Sequence, residues 1–451
     1  MLSLFRNRMK NPQISAVELV FFLSLLIFGI PMMILVPPGA GYDEEDHLIR
    51  VWELSRFSFI PGQMSPQQMQ YPLVFRDFAY RQQDSSGVIG DEFWQTYGRA
   101  SLYEDGIVRR ELATKSVYSP VLLLPQALAM WLFRQSANMP ALTVFYACRS
   151  ASLLSYLALA WMAIRLIPFG KWILMVLALS PMALFQAATV SPDAISNGIG
   201  FLFVAGSLGI AERKAIGWKE VRNLSILIFL LFLAKLNLVP LVLLPLFLIP
   251  PARFSQRYTY FSLLALTLIF FLVEVAGWNL LAAAQSDPLM ANEANPTAQL
   301  RYVLGHPFNV LFTLIRDLFA NGWIYLQSWI NGYGYFYWTP PLVISLLFLV
   351  SLGATLLFDS TRGQINGNTR LAFLLVFMAG YLATIAPGYL TFTPVGLDQI
   401  FGVQGRYFIP LGPLLFLALA SIPWTGKRPS PSSQWVTILL PSALALNLLA
   451  I

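Results

Sequence analysis

Residues 16–53 read AVELVFFLSLLIFGIPMMILVPPGAGYDEEDHLIRVWE, and this stretch decides the fold. The apolar run from 16 to about 36 matches the ~30 Å that a helix rising 1.5 Å per residue needs to cross a hydrocarbon layer. It stops at Pro37-Pro38, and the densest run of ionisable side chains follows at once. Arg6, Arg8 and Lys10 precede the run. Basic residues are retained on the cytoplasmic side, so they predict a cytoplasmic N-terminus and an acidic loop on the opposite face. No small-residue cleavage site ends the run, which predicts a retained first span rather than a removed signal.

Similar apolar runs recur along almost all of the 451 residues, of which 57% are hydrophobic and only 11% charged. Ordinary soluble domains carry about 25% charged residues, and no soluble fold of this size can hide so much apolar surface. The expected fold is an all-α polytopic membrane protein, a single transmembrane domain over residues 1–451, set by compactness in a bacterial inner (plasma) membrane. The net charge of +7 sits in short clusters between apolar runs, where it sets topology rather than forming a nucleic-acid face. The single cysteine, Cys148, lies within an apolar run and leaves neither a disulfide framework nor a Cys-based metal site.

Residues 37–140 read as a first outer loop whose polar part, 39–115, is too long for a simple connector. The segment 117–134 is interrupted by Pro120 and Pro125. If it crosses, the basic loops Arg165 to Lys171, Arg213 to Arg222, Arg253 to Arg257 and Lys427-Arg428 fall outside, against the positive-inside bias. The reading adopted lays it along or into the outer face. Spans then fall near 141–165, 172–190, 194–211, 222–234, 237–250, 258–281, 341–358, 371–389, 406–423 and 434–451, about eleven crossings with the first. The short pair 222–234 and 237–250 predicts a hairpin bent at Lys235-Leu236-Asn237. Residues 282–340 form a second outer region, polar over 285–301, with an aromatic stretch from Trp323 to Trp338 suited to an interfacial or re-entrant segment. A Pro/Ser linker follows at 429–433.

Four places carry candidate chemistry. In Asp43-Glu44-Glu45-Asp46-His47, a helix beginning near Asp43 puts Asp43, His47 and Arg50 on one face with Glu44 beside them. That face suits a general base or a divalent cation, Mg or Mn, held by Asp43, Glu44 and Asp193. An acidic first helical turn accounts for the same residues equally well. Ser191-Pro192-Asp193 falls on the same expected side as Asp43 and reads otherwise as a helix cap. Lys235 lies between two apolar half-helices, where a bare charge is expensive. It can hold the phosphate of a lipid carrier or snorkel to the headgroups. In Gln404-Gly405-Arg406-Tyr407, Arg406 can fork two hydrogen bonds to a phosphate, or act with Tyr407 as an interfacial anchor.

Together these pieces resemble the bacterial membrane-protein family known as domain of unknown function 2142. Its pattern is like P-P-D-E-x-x-H after the first span, then S-P-D, a Lys at a bend and a late G-R-Y. The counterparts here are Asp43, Glu44 and His47, then Ser191-Pro192-Asp193, Lys235 and Gly405-Arg406-Tyr407, with Gly39-Ala40-Gly41-Tyr42 intervening between Pro37-Pro38 and Asp43. The plan also resembles the GT-C superfamily of integral-membrane glycosyltransferases. That resemblance implies transfer of a sugar from a polyprenyl-phosphate donor to a glycan or lipid acceptor at the outer face, with a catalytic carboxylate in the first outer loop. The expectation is Asp43, or Glu44 second, as base, His47 and Asp193 orienting acceptor or metal, and Lys235, Arg406, Tyr407 and Arg50 binding substrate phosphate. The rivals are a flippase of a lipid-linked glycan, which would bury charge in several spans, and a surface-polysaccharide polymerase or ligase. Only Arg149 and Glu274 read as deeply placed.

Overall fold

The computed structural model describes residues 14–60, 68–76, 95, 97–102, 106–111, 118–136, 139–278, 280, 294–333, 340–359, 365–420 and 434–450. Arg6, Arg8 and Lys10, most of the polar stretch 285–301, the aromatic residues 334–338, Lys427-Arg428 and the 429–433 linker lie outside the described residues.

Helix α1 (Ala16–Leu35) starts on a capping box. The Glu18 amide donates to Ser15 Oγ at 3.4 Å, and the Ser15 amide donates to Glu18 Oε2 at 3.3 Å. Leu19, Leu23, Ile27, Ile30 and Ile34 form an exposed apolar stripe along it, a surface that only a hydrocarbon solvent leaves without cost. Among the described residues five helices are long and apolar enough to cross a membrane: α1, α4 (Ala141–Leu166), α7 (Pro192–Ala211), Arg257–Glu274 and Gly367–Phe392. Shorter apolar helices cover Pro120–Phe133, Leu236–Leu248, Leu342–Leu357, Gly405–Ala420 and Val436–Ala450.

Between α1 and α4 lie α2 (Glu44–Ser55), an antiparallel pair β1 (Gln68–Pro72) and β2 (Ile107–Glu111), and α3 (Leu124–Phe133). The strands pair Gln68 with Glu111 through Pro72 with Ile107, so the fold is nearly, not wholly, helical. Leu48, Trp52, Phe75, Met130 and Phe145 belong to a second hydrophobic core separate from that of the main bundle. The described part of the first loop is therefore a folded cap rather than a tether. Helix α3 is ten residues long, about 15 Å and half a hydrocarbon layer, with Leu128 and Leu132 exposed.

The run expected to cross at 172–190 is a broken helix rather than a continuous one, α5 (Lys171–Ala178) followed by α6 (Pro181–Ala187). Pro181 has no amide hydrogen to continue α5, and Ser180 Oγ caps the new helix by accepting from the Ala183 amide at 3.4 Å. Beyond α7 come α8 (Trp218–Phe232), a 3-10 turn Leu236–Val242, α9 (Leu243–Leu248) and α10 (Arg257–Phe271). Then follow α11 (Pro296–Gly305), α12 (Pro307–Ile330), α13 (Leu342–Phe358), α14 (Gly367–Pro387), the 3-10 turn Gly405–Leu411, α15 (Gly412–Ala420) and α16 (Gln434–Ala450). The bend expected around Lys235 is present, with Lys235 extended between α8 and the 3-10 turn.

The region expected to be interfacial contains the 24-residue α12. Phe308, Phe312, Ile315, Phe319 and Trp323 face outward while Thr313, Asp317, Tyr325 and Ser328 are buried. Asp317 accepts from Tyr325 Oη and Asn321 Nδ2, both at 2.7 Å. Apolar outside and polar inside is the pattern that a lipid solvent selects.

At the centre, α7 is packed by α4, α8 and the turn Gly405–Leu411. A Cβ on Gly200 would come within 2.5 Å of Pro410 Cβ. That missing side chain lets the Gly405–Leu411 turn close on α7, which brings Arg406 to Asp193.

Candidate functional site

Asp193 is the node. It opens α7 after Ser191, whose Oγ accepts from the Asp193 amide at 3.1 Å, with Pro192 in the first turn where no amide hydrogen is needed. Its Oδ1 pairs with Lys235 Nζ, its Oδ2 pairs with Arg406 Nη1, and Gln186 Nε2 donates to Oδ2 at 2.7 Å. Asn197 Nδ2 in turn donates to Gln186 Oε1 at 2.8 Å, which fixes the amide orientation that Asp193 needs.

The two cations are lined by aromatic faces. Lys235 Nζ lies 5.0 Å from the ring centres of both Tyr118 and Tyr407. The Arg406 guanidinium lies 4.0 Å from the Tyr42 ring and 4.7 Å from the Tyr407 ring, within cation–π range. Arg406 Nε donates to Gln404 Oε1 at 2.6 Å and Nη2 to Tyr407 Oη at 3.2 Å. Gly405 is what permits this approach: its amide donates to Ser328 Oγ at 2.6 Å, and a Cβ there would fall 1.7 Å from the Tyr325 carbonyl oxygen. Asn237 Nδ2 reaches Thr384 Oγ1 and the Tyr407 carbonyl, at 3.2 and 3.3 Å, which ties the Lys235 bend to the same turn.

Asp43 and His47 complete the cluster. Asp43 precedes α2 with φ of 56°, in the left-handed region, and its side chain makes no capping hydrogen bond. Non-glycine residues held there store strain and gather at functional sites. The half-buried Asp43 carboxylate acts electrostatically on both His47 and Arg406. His47 is buried against Tyr118, ring centres 5.9 Å apart, and its Nδ1 has no partner. Burial lowers its pKa to about 4, against the opposing pull of the Asp43 and Asp193 carboxylates, so the imidazole is neutral near pH 7. With Asp43 and Asp193 negative and Lys235 and Arg406 positive, the pocket's formal charges cancel.

Two expected residues are engaged elsewhere. Glu44 is fully spent: Arg149 Nε donates to Oε1 at 2.8 Å and Nη2 to Oε2 at 2.7 Å. The amides of Val190, Gly39 and Gly41 add 2.8, 3.0 and 3.1 Å hydrogen bonds. Arg149 also donates to the Met33, Val36 and Pro37 carbonyls. The pair knots the end of α1 to the first turn of α2, the middle of α4 and the approach to α7. Arg50 points to Glu53 at 2.7 Å and to the Ser58 and Phe59 carbonyls. The shared face expected for Asp43, His47 and Arg50 does not form, because Asp43 is left-handed and outside the helical register. Nor do Asp43, Glu44 and Asp193 converge as ligands. Among the described residues no group of three or more His, Cys, Asp or Glu side chains is placed to hold a metal ion. Glu44 is compensated by Arg149 and Asp193 by two cations, so these carboxylates as arranged do not fit a divalent cation.

The structure thus joins Asp43, His47, Asp193, Lys235, Arg406 and Tyr407, and leaves Glu44 and Arg50 outside the pocket. Sequence reasoning missed Gln186, Asn197, Tyr42 and Tyr118. Tyr42 adjoins the motif residue Asp43, whereas Tyr118 stands away from every motif and nothing in sequence distinguishes Gln186 from any other polar residue beside a span.

The family described as "Predicted membrane protein (DUF2142)" matches residues 26–415, a stretch that holds every residue of the pocket. The chain belongs to that family. Within DUF2142 this chain is a multi-pass membrane protein in contact with lipid. No curated protein and no solved structure matches it.

Proposed function

We propose that this DUF2142 protein is a membrane glycosyltransferase of GT-C type that moves a sugar from a polyprenyl-phosphate donor to a cell-envelope acceptor. In this reading the chain crosses a bacterial inner membrane about eleven times, its N-terminus is cytoplasmic, and the pocket opens on the outer face. The observation that carries it is the meeting of Lys235 and Arg406 on the single buried carboxylate of Asp193, in a cluster on which the half-buried Asp43 acts electrostatically. Two cations kept together where charge is expensive are provision for an anion. Asp193 bridges them between turnovers and leaves ammonium and guanidinium donors for a phosphate.

Asp43 is the base. Its left-handed backbone sets a half-buried carboxylate beside the cluster, where it acts electrostatically on both His47 and Arg406. It removes the proton from an acceptor hydroxyl, whose oxygen then bonds to the anomeric carbon as the carbon–oxygen bond to phosphate breaks. The leaving polyprenyl phosphate takes the bonding electron pair, and Lys235 and Arg406 stabilise the charge that develops on it. Neutral His47 orients the acceptor through its free ring nitrogen, and the anomeric centre inverts.

A transporter would carry charge buried and available in its spans. Arg149, the deepest arginine in α4, is instead neutralised by Glu44. A polymerase or ligase would use the same phosphate-binding residues, and acceptor length separates it from a transferase. The test is transfer of radiolabelled sugar from a polyprenyl-phosphate donor by the chain in proteoliposomes. Asp43→Asn is expected to lower turnover by at least 100-fold with unchanged helical circular dichroism; undiminished transfer removes Asp43 from the mechanism.

A further inference from the structure

At the end of α8 opposite Lys235, a groove of about 680 Å³ runs between α8 and α10. Trp218, Arg222, Ile226 and Phe229 recur at helical spacing along one face of α8, with Lys219 beside the first turn, and Leu266 and Phe270 form the far wall. The walls are fixed at both ends. Trp218 packs on Tyr258 with ring centres 5.6 Å apart, and Phe229 on Phe270 at 5.1 Å. The approach to α8 is held as well: the Ile216 amide donates to the Arg253 carbonyl at 2.8 Å, and the Ser255 amide to the Ile216 carbonyl at 3.0 Å. The groove is a preformed slot whose cationic mouth leads into an apolar channel.

Ser225 gives the ligand a second feature. It lines the groove, is 7% exposed, and its Oγ has no hydrogen-bond partner. A buried hydroxyl without a partner is costly unless a ligand supplies one. Ser225 lies three residues beyond Arg222, about 4.5 Å deeper along the axis. In order from the mouth, the groove therefore offers cations, one hydroxyl donor, then hydrocarbon.

We propose that the groove binds an anionic glycerophospholipid. Its phosphate lies on Lys219 and Arg222, an ester carbonyl accepts from Ser225 Oγ, and an acyl chain runs past Ile226, Phe229, Leu266 and Phe270. The order phosphate, ester, chain is that of a glycerophospholipid, and the two cations select a net negative headgroup. The site is separate from the Asp193 pocket and does not depend on the transferase reading.

Native mass spectrometry of the full chain tests this, titrated with phosphatidylglycerol, phosphatidylcholine and ether-linked phosphatidylglycerol of matched chains. The ester-linked anionic lipid is expected to be retained most tightly. Each basic residue near a lipid surface is worth about a fivefold gain for an anionic headgroup, so the double change Lys219→Ala, Arg222→Ala should weaken it about 30-fold and phosphatidylcholine little. Ser225→Ala should weaken the ester lipid several-fold and the ether lipid not at all. Equal retention of phosphatidylglycerol and phosphatidylcholine by the unaltered chain overturns the proposal, and so does an ether lipid bound as tightly as the ester. Neither comparison requires a variant to fold.

Discussion

Glu44 and Arg149 show at single-residue scale why charge count misleads in a membrane chain. Both look functional in sequence, and both are consumed by holding three helices and a loop together. Breaking a buried pair by removing one partner strands the other charge, at about 3–5 kcal/mol. Glu44→Gln should therefore lower the thermal midpoint in detergent sharply, whereas a pure loss of catalytic base would leave it unmoved. His47 makes a separate prediction. Burial lowers its pKa from 6.5 to about 4 in the fold, so between those values the unfolded chain binds a proton that the folded chain does not. Stability from this residue is complete above about pH 6.5 and falls as pH drops toward 4, by on the order of 3 kcal/mol. Denaturation followed from pH 7 to pH 4 should show this loss, and His47→Gln should remove that part of the slope.

Elements explain which parts of the site were legible in sequence. Ser191-Pro192-Asp193 announces a helix start, and a helix start at the end of a span fixes where Asp193 must lie. Lys235 is readable because neither apolar half beside it is long enough to span alone. Asp43 escaped the helical-face argument because a left-handed residue breaks the register that the argument assumes. The 172–190 run reads as one span by hydropathy, yet Pro181 divides it, and burial inside the bundle makes its composition uninformative about length. Pairings such as Gln186 with Asp193 depend on how helices pack, which one sequence does not encode locally. The Gly405–Leu411 turn carries the sharpest prediction at this scale. Gly405→Ala drives a methyl into the Tyr325 carbonyl, so the turn must move and carry Arg406 off Asp193. We expect loss of both transfer and phosphate-lipid binding, with the bundle still helical by circular dichroism; retained binding would show that the turn does not position Arg406.

For the whole molecule, the two ends of the bundle differ in kind. Glu18 lies between Arg165 and Lys171, 3.6 Å from each, at the start of α1, whereas the Asp193 pocket lies past its far end, about 30 Å away along twenty residues. In the proposed topology the basic end is the cytoplasmic one, as the positive-inside bias requires. In a Cys148→Ser background, Phe57→Cys should react with an impermeant maleimide on intact spheroplasts, and Lys214→Cys only after permeabilisation; the reverse pattern inverts the topology. The central claim is that Lys235 and Arg406 hold the phosphate of a lipid carrier beside Asp43. A cryo-electron microscopy structure of the chain with polyprenyl phosphate tests it most directly. Density for the phosphate within hydrogen-bond distance of Lys235 Nζ and the Arg406 guanidinium is the predicted result, and a phosphate bound elsewhere, with both cations still closed on Asp193, would contradict it.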